Sequence, residues 1–61
     1  MKQVKQINKA QYEAIYFNPN IPIDEVSTST EGFFITKLIS NGEVIAKRVI
    51  SQFAVAYYEI A

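Results

Sequence analysis

The chain has no cysteine and no histidine. The first absence excludes disulfide staples and a thiol nucleophile; the second removes the commonest general base and the imidazole ligands of most zinc sites. Glycine is scarce as well: Gly32 and Gly42 stand alone in separate segments, so no glycine-rich phosphate cradle can be built from them. Charge of one sign is also missing. The 6 basic residues balance the 6 acidic ones, leaving no net field to steer the chain toward nucleic acid, an anionic membrane or a strongly charged partner. No stretch approaches the roughly 20 apolar residues of a membrane span. "MKQVKQINK" carries charge without the apolar core of a signal peptide. These readings lead us to expect a cytoplasmic protein with no membrane partner.

What remains is apolar. Of the 61 residues, 49% are hydrophobic and 13% aromatic, far from the polar, highly charged profile of a disordered chain. One small domain over residues 1–61 is expected. A chain of this size buries only about 60% of its unfolded surface on folding, so its stability must come from packing or from a partner.

The sharpest local signal is "INKAQY" at 7–12. Asn8 and Gln11 form the Asn-x-x-Gln version of a capping box, and Ile7 and Tyr12 occupy the two positions of a hydrophobic staple. A helix is therefore predicted from Lys9, with Tyr12, Ile15 and Tyr16 as its inward stripe, ending at "NPN" (18–20) because Pro19 disfavours a helical Asn18. A short strand is possible within residues 2–6. "NPNIPIDE" (18–25) reads as extended or turning. Val26 to Thr30 reads as a polar edge strand, followed by a turn at Glu31-Gly32.

"FFITKLISNGEVIAKRVI" (33–50) reads as a β-hairpin closed at Asn41-Gly42, since both central positions of a type I′ turn require positive φ. A regular two-residue loop pairs Lys37 with Ala46 and Lys47 with Thr36, avoiding the direct opposition of Lys37 and Lys47. In that register Phe33, Ile35, Ile39, Val44, Ala46 and Ile50 share one face with Lys37 and Arg48, and Phe34, Leu38, Ile45 and Val49 share the other with Thr36 and Lys47. Both faces are apolar enough to need cover. In "SQFAVAYYEIA" (51–61), Phe53, Ala56, Tyr57 and Ile60 fall at helical spacing behind a capping Ser51, which predicts a second helix, with a third hairpin strand as the alternative. The expected fold is thus α+β: a three-stranded antiparallel meander with an N-terminal helix and a C-terminal helix.

Catalysis is not expected. Ser27, Ser29, Ser40 and Ser51 lie beside turns or in strands with no motif around them, and Glu13, Asp24, Glu25, Glu31, Glu43 and Glu59 have no metal-ligand spacing. No metal and no cofactor are called for. The expected function is that of a small interaction module that binds itself and another protein through a spare sheet face or the C-terminal segment, with Phe33, Ile35, Lys37, Arg48 and Tyr58 as its contact residues. Tyr57 and Tyr58 must point in different directions, which leaves one of them for a partner. In general style the chain resembles the accessory proteins of phages and mobile elements. The alternative is nucleic-acid binding by Lys37, Lys47 and Arg48 on the hairpin. With a C-terminal helix, residues 26–60 would make three strands and a helix, as in integrase arm-binding domains and plant APETALA-type DNA-binding domains. "AVAYYEIA" is faintly similar to the alanine- and tyrosine-rich helix of the latter, although the arginines and tryptophans of such sheets are missing.

Overall fold

Asn8 starts the helix as its sequence dictates. Its side chain accepts a hydrogen bond from the Gln11 N–H at 2.8 Å, and the Gln11 side chain accepts from the Asn8 N–H at 3.0 Å, so the capping box is closed on both sides. In this computed structural model, which describes residues 3–61, helix α1 runs over Lys9–Tyr16 and is preceded by strand β1 (Val4–Ile7). Four further strands follow: β2 (Asp24–Thr30), β3 (Phe33–Ser40), β4 (Glu43–Ser51) and β5 (Val55–Ile60). They form a single antiparallel sheet in the order β1-β5-β4-β3-β2.

The connections explain the layering. Strands β2 to β5 follow one another through tight turns. Asn41 and Gly42 have φ of 53° and 78°, the positive values that the β3–β4 turn requires. At the β4–β5 turn, Ser51 Oγ accepts from the Ala54 N–H at 3.2 Å and donates to the Ala54 carbonyl at 3.1 Å. Strands β1 and β2, consecutive along the chain, lie on opposite edges of the sheet. Residues 8–23 must therefore cross the whole sheet, a span of about 19 Å at roughly 4.8 Å per strand. They do so on one face, with α1 first and then a turning segment, closed by the Ile21 N–H donating to the Asn18 carbonyl at 3.2 Å, that ends at the partly buried Ile23. Nothing in the described residues crosses the other face.

The core lies under that crossing. Ile7, Tyr12, Leu38 and Ala46 are its buried apolar members, with Ile15, Ile23, Ile45 and Tyr57 packed against them. Leu38 and Ala46 are fully buried, and the Tyr12 and Tyr57 rings meet at 5.1 Å between centroids. The staple pair Ile7 and Tyr12 thus joins β1 to α1 within the core.

Three expectations need correction. The sheet has five strands, not three, and its helix is internal, lying between β1 and β2 instead of leading the chain. Residues 55–60 are strand β5, not a C-terminal helix. The apparent helical spacing there arose because β5 sits between β1 and β4 with apolar residues on both faces, so alternation is lost. The three-strand-plus-helix arrangement shared with the DNA-binding domains goes with it. The short strand expected near the N-terminus is present as Val4–Ile7; Lys2, at the start of that stretch, lies outside the described residues.

The third correction concerns register. The turn is a two-residue one, with Ser40 opposite Glu43, but an extra residue, Ile45, enters β4 between the Ile39–Val44 and Leu38–Ala46 pairs. Beyond this bulge every β4 side chain changes face relative to the regular hairpin. Lys37 stands directly opposite Lys47, the arrangement that charge arguments disfavour. Magnitudes decide the matter. Opposed like charges on a surface cost roughly 0.2–1 kcal/mol, whereas burying a leucine contributes roughly 1.5–3 kcal/mol, and the bulged register sets Leu38 beside the small Ala46 within the core.

Leu38→Ala should cost about 2–5 kcal/mol, a large part of the stability of so small a domain, whereas Phe53→Ala, at a turn tip with the side chain 91% exposed, should change it little. Urea unfolding of both variants checks the pair.

Candidate functional site

The face opposite α1 can be mapped row by row from the strand register. Its middle row runs Val26, Lys37, Lys47, Tyr58 and Gln6 across β2, β3, β4, β5 and β1. On one side lies the row Thr28, Ile35, Val49 and Ala56, and on the other lie Asp24, Ile39 and Val44. Phe33 and Thr30 continue the face toward the β2–β3 turn. The Lys47 ammonium sits 5.4 Å from the Tyr58 ring centroid, a cation–π contact that holds one of the two opposed lysines over an aromatic face.

This surface is mainly apolar and without cover. Val4, Val26 and Phe33 are exposed, and Ile35, Ile39, Val44, Val49 and Ile60 are only half-buried. Isolated exposed apolar residues are ordinary, but a contiguous patch on one sheet face marks an interaction surface. The patch turns the corner at one end of the sheet, where Phe34, Phe53 and Val55 are also exposed near the β2–β3 and β4–β5 turns.

Four of the five contact residues expected from the sequence lie together here: Phe33, Ile35, Lys37 and Tyr58. Arg48 does not. It pairs with Thr36 and Tyr57 on the helix side, because the bulge at Ile45 reverses the faces of β4. The basic set Lys37, Lys47 and Arg48 is therefore split, two on the open face and one on the covered face. The two adjacent tyrosines divide as their alternation requires, with Tyr57 against Tyr12 in the core and Tyr58 on the open face.

On the helix side a second feature lies between α1 and β2, a cleft of about 280 Å³ lined by Tyr12, Glu13, Tyr16, Phe17, Glu25 and Arg48. The Tyr16 hydroxyl donates to the Glu25 carboxylate, and this hydrogen bond, with the Glu25 charge, raises the Tyr16 pKa above the ordinary 10.0. Burial raises that of Tyr12, opposed by the positive charge of Arg48. No signal in the sequence joins these residues, since they come from separate elements brought together by the crossing of α1.

No group of three or more acidic, cysteine or histidine side chains among the described residues is placed to hold a metal ion, and no helix among them is long and apolar enough to cross a membrane. Comparison of the chain with protein-family models, curated proteins and solved structures finds no match. The functional reading therefore rests on the geometry of the two faces.

A hydroxyl whose pKa is raised by a carboxylate keeps that contact below its ordinary pKa and loses it as pH rises through the raised value. Glu25→Gln should accordingly move the Tyr16 titration back down toward 10.0. Following the Tyr16 ring resonances against pH by NMR checks this, and an unchanged titration would show that Glu25 is not its partner.

Proposed function

We propose that this chain is a non-catalytic interaction module that self-associates, two copies meeting through the open sheet face in a symmetric pair. The observation that supports this reading is the layering: one helix covers one face, and the other presents Ile35, Val49, Ile39 and Val44 around the Lys37–Lys47 row with no segment of the described residues above them.

Area favours a second copy. Five strands at about 4.8 Å spacing and about seven residues at roughly 3.3 Å rise give a face of about 550 Å². Two such faces bury about 1,100 Å² together, just beyond the roughly 1,000 Å² that a specific interface needs. Sheets stack face to face at about 10 Å with their inner side chains interdigitated, and a two-fold pair asks only that the patch complement itself. The long stems of the lysines add apolar area to this face, and the Lys47 ammonium is held over the Tyr58 ring. Zero net charge on the chain leaves no long-range repulsion between copies.

The nucleic-acid reading draws less support. Lys37 and Lys47 beside Tyr58 could meet a phosphate backbone, but Arg48 faces away, and two basic residues supply few of the phosphate contacts that drive such binding.

Sedimentation equilibrium at two salt concentrations tests the proposal. The expected result is a species of twice the 6.9 kDa chain mass, insensitive to salt, that reverts to the single chain on Val49→Asp with the fold retained by circular dichroism. A strict monomer at high concentration would overturn it.

A further inference from the structure

The cleft beside α1 holds an arginine whose bonding is incomplete. Arg48 projects from β4 between its cross-strand neighbours Thr36 and Tyr57. Among the described residues its buried Nε has no hydrogen-bond partner, and its guanidinium makes one long contact, Nη2 donating to Thr36 Oγ1 at 3.5 Å. Thr36 is itself buried and shared with Ser27 Oγ at 3.4 Å, so it offers little more. A buried guanidinium donor without an acceptor is costly, and native structures ordinarily supply a carboxylate, a carbonyl or a bound anion.

The two carboxylates lining the cleft are engaged elsewhere. Glu13 stands 3.8 Å from Lys9 one turn back along α1, and Glu25 accepts from the Tyr16 hydroxyl. Neither forms an ion pair with Arg48 among the described residues. The rest of the wall is aromatic: Tyr12, Tyr16 and Phe17, with the Phe17 ring 71% exposed and edge-on to Tyr16 at 4.8 Å. A bare phenylalanine beside an unpaired guanidinium fits a ligand with one charged end and one apolar body.

We propose that this cleft is a binding site for a small monocarboxylate, whose carboxylate takes the Nη end of the Arg48 guanidinium and whose apolar body packs against the Tyr16–Phe17 pair. An Arg fork matches a carboxylate in shape and charge. Glu25, and Glu13 with its charge shared by Lys9, repel any anion that enters, and a dianion such as a phosphate monoester about twice as strongly as a single negative charge drawn in by Arg48. A volume of about 280 Å³ lies at the small end of ligand pockets and suits a compound of one ring. The site is independent of the open-face pairing, since it lies on the other side of the sheet. The same chemistry comes from a free acid or from the C-terminal carboxylate of a peptide.

The test is an NMR titration of the isotope-labelled full chain with 3-phenylpropionate, 3-phenylpropionamide, phenyl phosphate and N-acetylphenylalanine. 3-Phenylpropionate should give saturable shifts at residues 12–17, at Glu25 and at the Arg48 Nε–H resonance, with the amide and the phosphate at least tenfold weaker. N-acetylphenylalanine binding as well as 3-phenylpropionate would point to a peptide C-terminus, and weaker binding to a free acid. Arg48→Met should abolish the shifts, and Phe17→Ala, at an exposed position, should weaken them without unfolding the chain. Equal binding of acid and amide, no saturation at millimolar acid, or shifts that leave the Arg48 Nε–H unmoved would each overturn the proposal.

Discussion

The buried cluster of Ile7, Tyr12, Leu38 and Ala46 is the joint on which the remaining geometry depends. The Tyr12 ring meets that of Tyr57 at 5.1 Å, and Ile15, Ile23 and Ile45 pack against the same cluster. Bringing Ala46 opposite Leu38 requires the extra residue at Ile45. That one insertion sets the β4 faces: it moves Arg48 under the helix side, moves Lys47 and Val49 to the open side, and places Lys47 against Lys37. The buried contact and the exposed repulsion are two consequences of the same register. Apolar burial outweighs a screened surface repulsion by several-fold.

Topology then decides how much can be covered. The tight turns from β2 to β5 leave no chain to spare, and the only long connection, between β1 and β2, is used up in crossing one face from edge to edge. A small α+β domain ordinarily buries one sheet face against helices and wets the other. Here the second face is built of isoleucine, valine and phenylalanine, with threonines toward its β2 edge. The covered and open faces thus divide the molecule's chemistry, the first holding a polar cleft around Arg48 and the second an apolar surface with a lysine row.

Much of this was legible along the chain, and the failures have physical causes. The capping box at Asn8 and Gln11 and the turn at Asn41-Gly42 are local devices, in which residues a few positions apart satisfy each other's backbone, and both are present as read. The edge position of β2 followed from its lack of apolar content. Residues 55–60 misled because a strand with neighbours on both sides and apolar residues on both faces loses its period of two, leaving a run that a helix also fits. The bulge was invisible because no local signal in the hairpin marks it, the Asn41-Gly42 turn being equally compatible with a regular ladder. Phe33, Ile35 and Lys37 could be grouped because β3 alternates without interruption; Arg48 could not, and Tyr58 stands out only because adjacent tyrosines cannot share a face. The cleft had no local signature at all.

The open face as a subunit interface is the central claim, and intermolecular contacts test it most directly. In a mixed sample of isotope-labelled and unlabelled chains, filtered NMR spectra should show cross-copy contacts from the methyl groups of Ile35, Val49 and Ala56, all in one row of that face. Cross-copy contacts arising only from the exposed β2 edge, or none from these methyls at concentrations where the chain is dimeric, would contradict the account.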